Sequence, residues 1–203
     1  MDAGADIACR FQRDLLDWRS ASGDLDVNKA KDVTLENTRS MIRVDQAGEY
    51  GAARIYAGQL AVLGNRHPSA RPIRHMAAQE QRHLDRFNAL VAERGVRPTL
   101  LQPFWHVAGF ALGAVTAAIG PEAAMACTVA IETEIDNHYG EQLDVIGQDD
   151  PELSAAITDF RAEEVEHKET AMAEGAERAP AYPLMTAAIR MGCRAAIALS
   201  KRI

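Results

Sequence analysis

The chain has 203 residues, of which 47% are hydrophobic and only 5% aromatic, and its formal net charge at pH 7 is −7. A chain of this length and composition can bury the core of one domain without disulfides. The acidic balance argues against a nucleic-acid partner, because such proteins usually carry basic patches. Cys9, Cys127 and Cys193 are widely spaced, which predicts a reducing compartment and no thiolate metal site.

The first 30 residues are only weakly periodic, so we expect a partly ordered arm there and one domain over residues 31–203. The arm lacks the basic start and apolar run of a signal peptide, and it lacks the acid-poor, Arg/Ser-rich character of a transit peptide. The protein is therefore expected to act where it is made, unless a targeting segment is missing.

Helical periodicity dominates the rest of the chain. Helices are predicted over about residues 34–63, 68–94, 121–146, 151–175 and 184–201, with a charge-free crossover over 104–120. Gly95, Gly120-Pro121 and Asp150-Pro151 provide typical helix ends and starts. No strand pattern of any length appears. The expected architecture is all-α, with two long hairpins, a crossover segment between them and a C-terminal helix.

Two predicted helices contain Glu-x-x-His, first as EQRH (Glu80 and His83) and then as EVEH (Glu164 and His167). Residues three apart lie on one face of a helix, so both side chains can bind one cation. One such pair alone is weak support for a metal site, because chance can supply it.

The spacing of two further glutamates turns these pairs into one site. Glu49 precedes Glu80 by 31 residues, and Glu132 precedes Glu164 by 32 residues. The midpoints of these intervals fall at Gly64-Asn65 and in GQDDP, the two predicted hairpin turns. At about 1.5 Å rise per residue, both members of each pair lie roughly 20–25 Å from the turn. They should therefore face each other at equal depth.

This layout is that of ferritin-like di-metal bundles, in which two helices provide one Glu each and two provide Glu-x-x-His. The predicted fold is thus a ferritin-like four-helix bundle with a crossover helix and an additional C-terminal amphipathic helix. Four carboxylates would neutralise two divalent cations. The alternative places these glutamates on solvent faces. The apolar neighbours Met76, Phe87 and Phe160 argue against it. The predicted ligands are Glu49, Glu80, His83, Glu132, Glu164 and His167.

Other polar residues are weaker candidates. Asp136 and Tyr139 share a helical face with Glu132, which suggests either a relay beside the metal or ordinary hydrogen bonding. Asp45 and Glu163 are candidates for contacting the ligands from behind. By helical phase Glu134 and Glu166 are expected in solvent. We expect His67, His75 and His106 to lie at the surface or to have hydrogen-bond partners rather than to bind metal. Cys127 and Cys193 are predicted to be small core residues.

The chain closely resembles the Coq7 (CLK-1) family of demethoxyubiquinone hydroxylases. The resemblance rests on RVDQAGEYGAARIYAGQL, the EQRH helix, AMACTVAIETEIDNHY, FRAEEVEHKE and APAYPLMTAAIRMGCRAAIALSKRI. It covers about residue 33 to the end and shows no departure at the six ligands. It implies a di-iron monooxygenase that hydroxylates the ring of a polyprenyl quinol with O2. In the family pattern Glu80 and Glu164 bridge two Fe ions, Glu49 and Glu132 are terminal ligands, and each His binds one iron.

The resemblance carries further expectations. His138 and Tyr139 would lie near the path of substrate or reductant, and NADH is a possible reductant, although no Gly-x-Gly-x-x-Gly motif is present. A lipid-binding protein of ubiquinone biosynthesis is the expected partner. The expected location is peripheral, on the cytoplasmic face of a bacterial inner membrane, or on the matrix face of a mitochondrial inner membrane if a targeting segment is missing.

Two segments suggest membrane contact. The crossover over 104–120 is apolar but too short for a confident span, which needs about 20 apolar residues. In the last helix Arg190, Arg194 and Lys201 lie opposite an apolar stripe of Met185, Ile189, Ala196 and Leu199, a pattern typical of helices on anionic membranes. Two other functions remain open from the ligand pattern: iron storage or peroxide scavenging, and non-enzymatic lipid binding.

Overall fold

The computed structural model describes residues 35–147 and 149–203, so the arm predicted over residues 1–30 lies outside the described residues. Arg39–Ile203 form one compact unit. In the described part the chain forms six α-helices, one short 3-10 helix and no strand, which confirms the all-α prediction. The elements are α1 (35–63), α2 (Ala70–Glu93), α3 (Gln102–Ile119), α4 (Pro121–Ile146), α5 (Pro151–Ala173), the 3-10 helix Ala176–Arg178, and α6 (Tyr182–Ser200).

The helix ends follow the predicted turn chemistry. Gly64 and Gly95 adopt positive φ angles of 71° and 60° after α1 and α2, a conformation that glycine reaches without a Cβ clash. The Asp150 side chain accepts a hydrogen bond from the Leu153 amide at 3.1 Å, and Pro151 begins α5. The two hairpin turns therefore lie where the sequence predicts them.

The four long helices α1, α2, α4 and α5 form two antiparallel hairpins. Gln46 of α1 donates a hydrogen bond to Asn88 of α2 away from their turn, whereas Tyr56 contacts Met76 nearer the turn. Helix α4 is central, because every residue from 123 to 132 is buried. Apolar clusters fill the bundle toward both ends, one around Tyr56, Ile73 and Met125, the other around Ile42, Phe87 and Ile157. Glu49 and Glu80 come from the helix turns between these clusters.

The crossover helix α3 packs against α1 at very short range. A Cβ atom at Gly113 would overlap the carbonyl oxygen of Ile55, and one at Gly58 would overlap the carbonyl oxygen of Phe110. A Cβ atom at Gly109 would lie 2.9 Å from the carbonyl oxygen of Gly51. Glycine is thus required at these crossings, and α3 covers one side of the bundle.

Helix α6 packs on α4, and three of the four residues of its predicted apolar stripe lie on the packed side. Met185 and Ile189 pack on the bundle core, and Ala196 lines a cavity under the helix. The exposed apolar side chains are instead Leu184 and Met191, together with Leu199. The sequence showed a helix with two apolar faces, and periodicity alone could not tell which face the bundle covers.

Candidate metal centre

The structure brings the six predicted ligands together in the middle of the bundle. Every one of these side chains is buried, at 0–1% exposure. They form two groups, in each of which one ligand atom per residue lies within 4.8 Å of the others. The first group is Glu49, Glu80, His83 and Glu164, and the second is Glu80, Glu132, Glu164 and His167. Glu80 and Glu164 belong to both groups, which is the position a bridging carboxylate requires.

Both histidines present Nδ1 to the carboxylates. His83 Nδ1 lies 3.1 Å from Glu164 and 3.5 Å from Glu49. His167 Nδ1 lies 3.2 Å from Glu80 and 3.1 Å from Glu164. Each imidazole therefore turns one nitrogen toward the cluster and keeps Nε2 for a partner outside it.

The donor set fits two divalent cations. Several buried carboxylate oxygens make no hydrogen bond within the described chain, although a buried polar group normally has a partner. They are Glu49 Oε2, both oxygens of Glu80, Glu132 Oε2 and Glu164 Oε1. Oxygen and imidazole ligands suit iron and similar metals. Two cations would satisfy these oxygens and neutralise the four carboxylates.

The electrostatics of the ligands agree with this interpretation. Burial raises the pKa of Glu80 and of Glu132 well above the usual value, and the neighbouring Glu164 raises both further. Burial opposes a charge on His83, but the Glu164 and Glu49 carboxylates close to its Nδ1 raise its pKa to about 10. Without cations the cluster therefore retains protons, which metal ions would displace on binding.

Two tyrosines support the outer carboxylates. Tyr56 of α1 donates to Glu132 at 2.6 Å, and Tyr139 of α4 donates to Glu49. Tyr139 was a predicted candidate, but it contacts the glutamate of the other hairpin rather than Glu132. Tyr56 was missed. It stands seven residues after Glu49, as Tyr139 stands seven after Glu132, so extending the ligand repeat would have found it.

Each histidine also has a partner at Nε2. Glu163 lies 3.0 Å from His83 Nε2, as its sequence position suggested, and Gln79 lies 3.1 Å from His167 Nε2. Gln79 was missed, yet it precedes Glu80 as Glu163 precedes Glu164. Such partners orient a metal-binding imidazole and fix its tautomer.

The remaining candidates lie farther out. Asp45 accepts a hydrogen bond from Gln142 at 2.7 Å and lies 3.3 Å from His138. His138 lines a polar cleft between α4 and α6, whereas Tyr139 reaches the cluster directly. Asp136 instead pairs with side chains of α5, at 2.7 Å from Arg161 and 3.3 Å from Lys168. None of the described contacts of Asp136 reaches a predicted ligand.

The prediction that Glu134 lies in solvent is wrong. Its side chain is buried and pairs with Arg190 at 2.5 Å and Arg194 at 3.2 Å. Helical phase relative to Glu132 turns it away from the metal centre, but α6 covers the face it points to. Glu166 is exposed as expected. The histidines at 67, 75 and 106 lie outside both ligand groups.

A cavity of about 480 Å³ lies beside the metal centre among α1, α3, α4 and α6. Small and aliphatic residues form most of its wall, such as Gly48, Gly51, Ile131 and Ala188. Ile131 and Ile135 belong to the same helix as Glu132 and line the cavity, whereas Glu132 does not. The cavity can therefore hold a bulky apolar group next to the helix that provides a metal ligand.

Comparisons with known proteins give the family. The family model described as "Ubiquinone biosynthesis protein COQ7" matches residues 36–200. A Rhodospirillum rubrum protein named 3-demethoxyubiquinol 3-hydroxylase is 57% identical over 162 residues, which are 80% of this chain and 76% of that protein. The human protein named NADPH-dependent 3-demethoxyubiquinone 3-hydroxylase, mitochondrial, is 52% identical over 168 residues, with the same coverage of 80% and 76%.

A Saccharomyces cerevisiae protein named 5-demethoxyubiquinone hydroxylase, mitochondrial, is 43% identical over 179 residues and aligns with 80% of this chain and 77% of its own length. The matched region contains all six residues of the buried cluster. The chain therefore belongs to the COQ7 family of ubiquinone biosynthesis proteins.

Proposed function

We propose that this protein is a di-iron monooxygenase that hydroxylates the ring of demethoxyubiquinol with O2. The observation that carries the proposal is the buried cluster of four carboxylates and two imidazoles in a chain whose relatives bear hydroxylase names. Glu49, Glu80, His83, Glu132, Glu164 and His167 would hold the irons. When bound, two irons would supply O2 activation and the electrons for oxygen insertion.

The protein's own residues would orient and protect this site. Tyr56 and Tyr139 hold the outer carboxylates in place from opposite hairpins. The apolar clusters on either side exclude water, which would otherwise compete for open metal positions. Tyr139 is our candidate for moving a proton, because its hydroxyl contacts Glu49.

The cavity under α6 is the proposed entry for the lipid substrate. Its volume of about 480 Å³ is within the usual range of ligand pockets, and its wall is mostly apolar. A polyprenyl quinol has an apolar tail and a polar ring, so the tail would lie along α3 and α6 while the ring approaches α4. Leu112 of α3 and Ile189 of α6 line the cavity and would contact the tail.

We also propose that the protein docks on a membrane surface through α3 and α6. In the described residues no helix is both long and apolar enough to cross a bilayer. However, Phe104, Val107 and Val115 of α3 and Leu184 and Met191 of α6 are each 59–73% exposed. Exposed apolar residues near the basic side chains of α6 suit an anionic bilayer, the phase in which the substrate resides.

Flotation with liposomes tests this docking. Met191→Asp should weaken binding to anionic vesicles, because the charge would enter the apolar phase. Val145→Asp is the matched control, since Val145 is 61% exposed on α4. Equal flotation of both variants and the wild type would contradict docking through α6. The membrane side and the lipid-binding partner stay predictions.

A nicotinamide nucleotide is the proposed source of electrons. The human relative is named as NADPH-dependent, and NADH is the nucleotide expected from the sequence resemblance. Oxidation of each nucleotide by the iron-loaded protein, with substrate present, would distinguish the two. Failure of both to be oxidised would require another reductant.

The decisive experiment is aerobic turnover of demethoxyubiquinol by the reduced, iron-loaded protein. The wild type should form the hydroxylated quinol, whereas Glu80→Ala should not, because Glu80 belongs to both ligand groups. Absence of product from wild type with two irons bound would reject the proposal. Loading of many irons per chain would instead identify an iron-storage protein.

A further inference from the structure

The two histidines of the metal centre differ in the partner of their outer nitrogen. His83 Nε2 lies 3.0 Å from a carboxylate oxygen of Glu163. His167 Nε2 lies 3.1 Å from the amide oxygen of Gln79. The two hairpins otherwise place matching groups around the cluster, including one tyrosine on each outer glutamate. This contrast therefore stands out against a nearly two-fold arrangement.

The tautomer of each imidazole follows from the geometry. Nδ1 of both rings faces the carboxylate cluster, so metal binding requires a free electron pair on Nδ1. The proton of the neutral ring must then reside on Nε2. With metal bound, His83 would donate that proton to Glu163, and His167 would donate it to the side-chain oxygen of Gln79.

Glu163 remains an anion next to His83. Its carboxylate accepts two hydrogen bonds from Arg82, at 2.7 and 2.8 Å, and its side chain is 24% exposed to water. Both features favour the ionised form. Gln79 is neutral and buried. An anionic acceptor draws the Nε2 proton away from the ring more strongly than an amide does, which makes the opposite nitrogen a stronger donor to a metal.

We propose that Glu163 is a positioning residue that makes the two metal positions unequal. The position formed by Glu49 and His83, with the shared Glu80 and Glu164, is the one that binds metal more tightly. The position formed by Glu132 and His167 binds metal more weakly. This inference rests on the proposed metal centre, but it concerns the ranking of the two positions rather than the reaction.

Titration of the metal-free protein with Co²⁺ under anaerobic conditions tests the ranking. The wild type should show a tight and a weaker binding phase. Glu163→Gln keeps a hydrogen-bond acceptor but removes its charge, so the tight phase alone should weaken by about tenfold, the lower end for loss of an outer partner. Asp159→Asn is the control, because it removes an equal charge from an exposed position of α5.

The reciprocal variants sharpen the test. Gln79→Glu should strengthen the weaker phase alone, and the double variant Gln79→Glu/Glu163→Gln should again show two phases. In the Co²⁺-loaded protein, NMR should show one exchangeable, paramagnetically shifted Nε2–H signal per histidine, and Glu163→Gln should move only one of them. Thermal unfolding of each metal-free variant would identify any that fail to fold.

The outcomes separate the inference from the proposed function. Binding of both ions with equal affinity would overturn the inference while leaving the di-metal hydroxylase intact. So would a Glu163→Gln variant whose tight phase is unchanged. Failure of the wild type to bind two ions would overturn both. Loss of turnover with the predicted affinity pattern preserved would count against the proposed reaction alone.

Discussion

The candidate metal centre and the apolar cavity lie in the same bundle but are formed by opposite kinds of side chain. The centre consists of large polar side chains. They are hydrogen-bonded by four further residues, Tyr56, Tyr139, Glu163 and Gln79. The cavity arises where side chains are small or absent, as at Gly48, Gly51 and Gly192. The ligand cluster can be predicted from residue spacing along the sequence, whereas the cavity forms only when four helices pack together.

The largest expected effect is a loss of bound metal. It should differ between a ligand that belongs to both groups and one that belongs to a single group. Glu164→Ala should abolish binding of both metal ions, because Glu164 belongs to both ligand groups. Glu132→Ala should leave about one ion per chain, since Glu132 belongs to one group. Metal analysis after dialysis measures both. Equal loss in the two variants would contradict the shared position of Glu164, and the apolar cavity should be unaffected in each.

The packing beside the cavity is tested by two glycine substitutions of the same kind. Gly113→Ala should lower the free energy of unfolding by about 1–3 kcal/mol, because the added Cβ overlaps the Ile55 carbonyl oxygen. Gly192→Ala in α6 has open space and should raise it by about 0.5–1 kcal/mol. Chemical denaturation measures both changes. Stabilisation by Gly113→Ala would show that α3 lies farther from α1.

The buried Glu134 links the cavity wall to α6 and gives a smaller effect. Arg190→Met should destabilise the protein by about 1–2 kcal/mol, because it leaves a buried carboxylate with a weaker partner. Arg194→Met should have less effect, since Arg194 is 62% exposed and its contact is longer, at 3.2 Å against 2.5 Å. Thermal unfolding ranks the two variants. The reverse ranking would reject Arg190 as the principal partner.

The pH dependence of the metal-free protein tests the charge balance of the centre. The pKa of Glu80 and of Glu132 is raised in the folded state above the usual 4.5, so folding retains protons there. These two groups should therefore contribute their full stabilisation to the metal-free protein below about pH 4.5. That contribution should be lost as the pH rises toward their pKa values in the folded state. We expect the free energy of unfolding of the metal-free protein to fall as the pH rises from about 5 to about 8.

Metal should reverse this trend, because it binds the deprotonated carboxylates and its affinity rises with pH. Glu132→Gln should flatten the slope of the metal-free protein, and Glu166→Gln is the control because Glu166 is exposed. Unfolding curves with and without chelator provide the measurement. A metal-free protein that gains stability through this pH range would contradict protonated carboxylates in the cluster.

Much of the fold and the clustering of the six predicted ligands could be predicted because both depend on spacing along helices. Equal distances from two turns placed Glu49 beside Glu80 and Glu132 beside Glu164, and Asp150-Pro151 marked the start of α5. Contacts between helices that are not joined in one hairpin were missed or assigned to the wrong residues, because residue spacing does not relate such helices to each other. Glu134 appeared solvated because helical phase describes one helix, whereas its burial depends on the packing of α6. The cavity had no signal in the sequence, since small residues also fill cores.

The most direct test of the central claim is turnover of demethoxyubiquinol under ¹⁸O2 by protein that contains two irons per chain. If the buried cluster activates O2 for ring hydroxylation, the product should carry one ¹⁸O atom in its new hydroxyl group, and Glu164→Ala should form none. A product whose new oxygen comes from water, or a wild type that retains two irons and forms no hydroxylated quinol, would contradict the account.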